Sequence, residues 1–174
     1  MALVVRPADI IKTKVIDYLI DTLDGVVIGD EITYGSSRKI VDLLALYNGE
    51  TYAIEIKSGK DDLRRLHEQI SEYEKIFDHT CVFATSEHLT KIKELSDSKV
   101  SIFTITPDNT IEGKLKKKKN RVTKFEMLAT INASYISKVA KYFTYYRNTS
   151  ILRCESYNLV IMRLIFPHPR AEMK

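Results

Sequence analysis

The sequence predicts an α/β protein with a mixed β-sheet and flanking helices. Stretches of helical and of strand periodicity alternate along the first 113 residues, which is typical of this class. The dipeptide Asn48-Gly49 separates two apolar runs, which is the strongest short signal for a β-hairpin. Hydrophobic residues make up 44% of the 174 residues, enough to bury a core and to exclude wholesale disorder.

The first predicted element is an amphipathic helix over residues 8–24. Pro7 stands near its start, where a missing N–H does no harm, and Gly25 ends it. The apolar stripe at helical spacing consists of Ile11, Val15, Tyr18, Leu19 and Leu23. A short strand over about 26–34 follows, and residues 35–37 form a turn.

Two β-rich runs, 38–47 and 50–58, form the predicted hairpin. If the Asn-Gly dipeptide is a two-residue loop, paired positions sum to 97 and Asp42 faces Glu55 directly. Directly opposite Cβ atoms lie about 4.5–5.5 Å apart. Lys57, two residues beyond Glu55, lies on the same face. A longer turn would shift this register.

The chain then alternates again between helix and strand. From Asp61 or Asp62 to Phe77 the period is helical, with Asp61 as the expected N-cap. The apolar stripe of this helix is Leu63, Leu66, Ile70, Tyr73 and Phe77. The following segments are a strand over 80–84, a helix over 87–96 and a strand over 100–106. The predicted order is therefore α-β-β-β-α-β-α-β.

Residues 114–174 differ from the rest of the chain in charge. They contain 14 Lys/Arg and 3 Asp/Glu, a net charge of +11, while the remaining residues carry −7. A polar hairpin or loop over 107–120 ends in Lys116–Lys119, and mostly helical segments follow over 123–133, 134–147 and 149–165. We therefore divide the chain into a core, 1–113, and a basic extension, 114–174. The extension is a helical cap on the sheet or a separate binding subdomain.

The composition also limits the partners and the compartment. A basic half indicates a polyanion partner, although a solvated basic surface has the same composition. No apolar run approaches the roughly 20 residues of a membrane span, and no signal peptide is visible, so we expect no membrane partner. Cys81 and Cys154 make no metal-ligand spacing and indicate free thiols of a reducing compartment. We expect a cytoplasmic protein.

The predicted pair of carboxylates needs a physical reason. Two like charges about 4 Å apart repel by roughly 4 kcal/mol at an effective dielectric of 20. Mg²⁺ resolves this conflict, because it binds one or two carboxylates and keeps several waters. The alternative is an ordinary Glu–Lys pair with an Asp at an exposed strand end. Gln69 lies at the margin of the second helix's apolar stripe, so its amide has a partner there or lies in solvent.

These residues resemble the PD-(D/E)XK nuclease superfamily. The resemblance rests on Asp42, on Glu55-Ile56-Lys57, on the pattern Gln69-x-x-x-Tyr73 and on the α-β-β-β-α-β order. It extends from about Ile32 to Leu95 and is closest to small uncharacterised bacterial and phage members. It implies a restriction-endonuclease-like core, with residues 114–174 as a helical extension, and a prokaryotic, viral or phage origin.

The resemblance also implies a site. Asp42 and Glu55 would bind Mg²⁺ or Mn²⁺ together with the backbone carbonyl of Ile56. Lys57 would position or activate the attacking water, and Gln69 would support the site or contact the DNA backbone. Glu31 is the candidate for the family's upstream acidic ligand. Val41 stands where the family has a proline.

Metal-dependent hydrolysis of phosphodiester bonds, in DNA rather than RNA, is the function these residues imply. Candidate phosphate contacts, each also explicable as a solvated charge, are Arg38, Lys39, Lys60, Arg64, Arg65, Lys116, Lys117, Lys118 and Lys119. One alternative is a non-catalytic nucleic-acid-binding or regulatory protein that retains the nuclease fold. Another is a protein-interaction module whose basic half binds an acidic protein. A homodimer is expected because many superfamily members dimerise; the segment 159–166 is a dimer surface or part of the core.

Overall fold

The computed structural model of the protein describes residues 7–108 and 110–130. Two further predicted helices, over 134–147 and 149–165, and the segment 159–166 lie outside these residues. The elements are, in chain order, α1 (Pro7–Thr22), β1 (Val27–Tyr34), β2 (Lys39–Tyr47), β3 (Glu50–Lys57), α2 (Leu66–Ile76), β4 (His79–Thr85), a 3₁₀ turn (Ser86–His88), α3 (Leu89–Leu95), β5 (Ser101–Ile105), β6 (Ile111–Gly113) and α4 (Lys124–Thr130).

The strands form one six-stranded sheet in the order β1-β2-β3-β4-β5-β6. Strands β1, β2 and β3 are antiparallel neighbours, β3, β4 and β5 are parallel, and β6 returns antiparallel to β5. The sheet is therefore mixed, and the predicted α/β class is confirmed. The parallel connections from β3 to β4 and from β4 to β5 each pass through a helix, as parallel pairing requires.

Helices cover both faces of the sheet. Val15 and Leu19 of α1 pack into one hydrophobic cluster with Leu43, Ile54 and Phe83. On the other face, α2 and α3 contribute to two further clusters, whose buried helix residues are Leu66, Ile70, Tyr73, Ile76 and Ile92. Both helical stripes expected from the sequence are therefore the buried faces, and α2 lies over the face to which Glu55 belongs.

The predicted hairpin register is observed. Asn48 and Gly49 have φ values of 51° and 76°, the left-handed conformation that a two-residue loop requires. The pairs run from Tyr47–Glu50 to Leu43–Ile54, and each pair sums to 97. This register places Asp42 and Glu55 at the same level of their strands.

Helix α2 begins later than expected, and the predicted N-cap Asp61 is wrong. Asp61 instead accepts hydrogen bonds from the backbone N–H and the hydroxyl of Ser58, at 2.6 and 2.8 Å. Asp62 accepts one from the backbone N–H of Arg64 at 2.8 Å. These local side-chain contacts compete with helix formation, so the chain stays in turns until Arg65, the actual N-cap.

The described part of the basic extension packs against the core. The backbone N–H groups of Asn120 and Thr123 donate to Asp78 and Lys75, at 2.8 and 2.7 Å. Glu126 of α4 accepts a hydrogen bond from the backbone N–H of Ser36 at 3.1 Å. The division of the chain after residue 113 stays a prediction. Within the described part of the chain, no helix is long and apolar enough to span a membrane.

Candidate functional site

The ladder between β1 and β2 is interrupted at one level. Asp30 pairs with Leu43 and Ile32 pairs with Val41, but Glu31 and Asp42 between them are not paired. The φ of Glu31 is 49°, in the left-handed region. Such a conformation costs a non-glycine residue about 1–3 kcal/mol and is found most often at functional sites.

The ladder between β2 and β3 ends at the same level. It stops one step before Asp42 and Glu55, while β3 stays paired with β4 through Glu55 and Val82. The backbone N–H of Ile56 donates to Asp42 Oδ2 at 2.8 Å, so the carboxylate replaces a backbone acceptor. Glu31, Asp42 and Glu55 therefore occupy one level of three neighbouring strands. We call these three residues the acidic row.

Asp42 is electrostatically strained in this position. Burial, followed by the charge of Glu55, raises the pKa of Asp42 to about 6, although the Ile56 hydrogen bond and Lys57 act in the opposite direction. Without a metal ion, the Asp42 carboxyl group is therefore mostly protonated, and so uncharged, below about pH 6. A bound cation would favour its ionised form.

Glu55 is the most buried member of the row, with 2% of the residue exposed. Its Oε1 accepts hydrogen bonds from Lys57 Nζ and from Gln69 Nε2, both at 2.7 Å. Its Oε2 accepts a hydrogen bond from the Tyr73 hydroxyl. Lys57 therefore lies beside Glu55 as the register predicts. The Gln69 amide has a buried partner, so the alternative of an amide in solvent is wrong.

Gln69 also leaves one polar atom without a partner. Its Oε1 is buried and has no hydrogen bond within the described structure. An unsatisfied buried acceptor costs about 1–3 kcal/mol and calls for an explanation such as a water or an ion. The amide orientation is set by Nε2, which must face the Glu55 carboxylate.

The donor set of the site fits a hard divalent cation. Asp42, Glu55 and Gln69 Oε1 are oxygen atoms that could hold such an ion, since Mg²⁺ typically uses one or two carboxylates with waters completing its shell. A carboxylate has about four acceptor positions, of which Glu55 uses three. Among residues 7–108 and 110–130, no group of three or more His, Cys, Asp or Glu residues is arranged around a single metal position.

Two tyrosines, Tyr73 and Tyr34, pack behind Glu55. Burial, and then the Glu55 charge, raises the pKa of Tyr73, so Tyr73 stays a hydrogen-bond donor. The ring of Tyr34 packs edge-on against that of Tyr73, with centroids 5.3 Å apart. The Tyr34 hydroxyl donates to Glu72 Oε2 at 3.3 Å, and Lys39 Nζ contacts Glu72 Oε1 at 2.7 Å. Lys39, a predicted phosphate contact, is thus already ion-paired.

Lys12 of α1 reaches the outer end of the acidic row. Its Nζ lies 2.8 Å from Asp30 Oδ1 and 3.2 Å from Glu31 Oε1. Burial lowers the pKa of Lys12, but the hydrogen bonds to these two carboxylates outweigh burial and the pKa is raised. Its charge also opposes the rise in the pKa of Asp42. Glu31, predicted as a metal ligand, therefore has an ammonium partner in this structure.

The predicted phosphate contacts fall into three regions. Lys60, Arg64 and Arg65 are exposed between β3 and α2, near Lys57, and Arg64 pairs with Asp62. Arg38 is exposed in the turn between β1 and β2.

Two of the four lysines 116–119 have contacts away from the acidic row. Lys119 Nζ contacts Glu50 Oε1 at 2.6 Å, and Lys116 Nζ donates to the carbonyl of Ser98 at 2.8 Å. Five steps along the strand separate Glu50 from Glu55, a distance of about 17 Å. These lysines do not touch the acidic row.

Three residues at the site were not predicted as site residues from the sequence: Lys12, Tyr34 and Tyr73. Tyr73 was noted as part of a motif, and its position four residues after Gln69 places both on one helix face. Lys12 and Tyr34 carry no comparable local signal. They reach the site because α1 and β1 pack beside β2 and α2.

The fold and site define an α/β protein with a row of three carboxylates, of which Glu55 is buried, where the ladders of its mixed sheet are interrupted. The chain belongs to the family of the bacteriophage P4 protein cII, whose profile matches residues 4–163.

No curated protein matches the chain significantly. Among solved structures, SfsA of Pyrococcus furiosus, in complex with Ca²⁺, is similar at 13% identity and a TM-score of 0.33. That match covers 67% of this chain and 62% of the SfsA chain.

Proposed function

We propose that this protein is a metal-dependent nuclease that hydrolyses phosphodiester bonds, with DNA preferred over RNA. The observation that carries the proposal is the convergence of Lys57, Gln69 and Tyr73 on the buried Glu55 carboxylate, beside Asp42. A carboxylate that is 2% exposed and faces another acid is costly to place in a core. Such costs are typical of functional sites.

The finer class in this proposal is the PD-(D/E)XK superfamily with a restriction-endonuclease-like core. The order α1-β1-β2-β3-α2-β4 supports it, as do the positions of Asp42, Glu55 and Lys57 at one end of the β2–β3 hairpin. Gln69 and Tyr73 of α2 both reach Glu55, which gives the Gln-x-x-x-Tyr pattern a structural purpose.

Asp42 and Glu55 would hold Mg²⁺ or Mn²⁺, with the Ile56 carbonyl as a further ligand. When bound there, such a cation would supply polarisation of the scissile phosphoryl oxygen and offset of the charge that develops in the transition state. The chain's own groups position the reactants. The Lys57 ammonium, held by Glu55 at 2.7 Å, is a hydrogen-bond donor that orients the attacking water. Gln69 Oε1, buried and without a hydrogen-bond partner in the described structure, would be a further oxygen ligand of the ion.

The proposal is tested by cleavage assays on linear, nicked, branched and single-stranded DNA and on RNA, with Mg²⁺ or Mn²⁺. We expect metal-dependent cleavage of at least one DNA substrate by the wild-type protein and none by Asp42→Ala protein purified in parallel. Equal cleavage by both proteins would show that the activity comes from a contaminant and would contradict the proposal. Cleavage of RNA alone would correct the substrate.

The exposed lysines of the basic extension are expected to contribute to nucleic-acid affinity without touching the metal site. Replacing Lys117 and Lys118 with Gln should lower the slope of log affinity against log salt by about 2, since each phosphate contact contributes about 0.9. The measurement is fluorescence anisotropy with labelled DNA over a salt series. Lys119 is left unchanged because it pairs with Glu50.

A matched control removes two lysines from the helices, Lys14→Gln with Lys93→Gln. We expect its salt slope to equal that of the wild type. An unchanged slope in the Lys117/Lys118 variant would assign these residues to solvated surface.

One observation favours the alternative, a catalytically inactive nucleic-acid-binding or regulatory protein that retains the fold. Three protein donors already satisfy Glu55. These donors offset part of the cost of burying the carboxylate without an ion. Salt-sensitive DNA binding with no Mg²⁺ or Mn²⁺ binding by calorimetry would support this alternative.

A further inference from the structure

The outer end of the acidic row already holds a cation that belongs to the protein. Lys12 Nζ contacts Asp30 at 2.8 Å and Glu31 at 3.2 Å, and it stabilises the ionised form of Asp42. Lys57 Nζ occupies the inner end, at 2.7 Å from Glu55 Oε1. The two ammonium groups approach the same row from α1 and from β3.

Around the acidic row, negatively charged side chains outnumber positively charged ones. Asp30 and the three members of the acidic row supply four carboxylates, and Lys12 and Lys57 supply two ammonium groups. The remaining two negative charges equal the charge of one divalent cation. Without Lys12 the deficit increases, and oxygen ligands of Asp30 and Glu31 are released next to Asp42.

The Lys12 contacts contribute little to the stability of the fold. The side chains of Asp30 and Glu31 are 59% and 62% exposed, and ion pairs at such exposure are weak. Yet the backbone at Glu31 is held in the left-handed region beside the interrupted ladder. A strained backbone conformation that no strong contact compensates is typical of a residue with a role at a functional site.

We infer that Lys12 is a positioning residue that occupies the place of a second cation and limits the acidic row to one divalent ion. This inference rests on the proposed metal site. Lys12 holds Asp30 and Glu31 at the outer end of the row, so that an incoming ion is confined to Asp42, Glu55 and the Gln69 carbonyl oxygen. The candidate ligand Glu31 is thereby kept outside the coordination shell.

The test counts Mn²⁺ ions bound per chain, by electron paramagnetic resonance of free Mn²⁺ and by calorimetry, on the full-length protein. We expect one Mn²⁺ in the wild type, two in Lys12→Met, and one again in Lys12→Arg, which restores the charge. The triple variant Lys12→Met/Asp30→Asn/Glu31→Gln should return to one, because both released carboxylates are removed. Circular dichroism checks that each variant is folded.

Lys14→Met is the matched control, since it removes the same charge two residues along α1, about 200° around the helix. We expect it to bind one Mn²⁺. A single ion in Lys12→Met, or two in the wild type, would overturn the role of Lys12 and leave the proposed nuclease site standing. Wild-type protein that binds no Mn²⁺ would overturn the proposed metal site itself.

Discussion

Replacing Asp42 with Asn is expected to abolish metal-dependent cleavage, by about 1,000-fold or more, and to stabilise the metal-free protein at pH 8. The loss of activity follows from the loss of a charged oxygen ligand. The gain in stability follows from the raised pKa of Asp42, about 6 against the ordinary 3.8. A shift of this size corresponds to about 3 kcal/mol of unfolding free energy.

The sign of the pH dependence is set by proton binding. Between about pH 4 and pH 6 the folded protein holds a proton on Asp42 that the unfolded chain has lost, so the unfolding free energy falls as the pH rises. The wild type therefore carries the full penalty above pH 6 and none below pH 4. The Asp42→Asn protein has no such penalty, so its advantage should grow between about pH 4 and pH 6 and be complete above pH 6.

Urea denaturation in EDTA at pH 4 and pH 8 measures the effect. The Asn side chain keeps an oxygen for the Ile56 N–H, so the backbone contact is retained. Adding Mg²⁺ should stabilise the wild type and leave the variant unchanged. A variant less stable than the wild type at pH 8 would contradict the electrostatic description of Asp42.

Replacing Lys57 with Met is expected to destabilise the protein by about 3 kcal/mol or more at pH 8, in addition to removing activity. The reason is that Glu55, 2% exposed, would lose the ammonium group that lies 2.7 Å from its carboxylate. The hydrogen bonds from Gln69 and Tyr73 remain but supply no opposite charge. Lys57 itself is 12% exposed, so its alkyl chain is already buried and Met fills the same space.

The second variant Glu55→Gln/Lys57→Met separates the charge effect from packing. Removing both charges should recover most of the lost stability, since the cost comes from an uncompensated buried ion. Equilibrium urea unfolding of the wild type, both single variants and the double variant gives the coupling free energy. Equal instability of the single Lys57 variant and the double variant would assign the loss to packing instead.

The sequence alone predicted the class of fold and most of the element order. The periods of apolar residues predicted α1, β3 and α2, and the Asn-Gly turn predicted the register that brings Asp42 to the level of Glu55. These features depend on interactions between residues close in the chain. The start of α2 was wrong by about four residues, because Asp61 and Asp62 bind neighbouring turn donors instead of capping the helix.

Only the part of the site that lies on β3 and α2 was predictable from the sequence. Lys57 and Gln69 follow from strand alternation and from the helix stripe, and both contact Glu55. The distance of lysines 116–119 from the acidic row was not predictable, because it depends on where the segment after β6 crosses the end of the sheet.

Local sequence thus determined which residues alternate, turn and share a face: the α/β class, the hairpin and the common level of Asp42 and Glu55 on neighbouring strands. The tertiary structure alone decided which side chains from outside the hairpin lie beside these two carboxylates. Lys12 approaches from α1, 19 residues before Glu31, and Tyr34 packs on Tyr73 across 39 positions of the chain. The physical reason is that strand and helix periods are set by near neighbours. Which charge compensates a buried carboxylate is set by the packing of helices on a sheet, which no short-range pattern encodes.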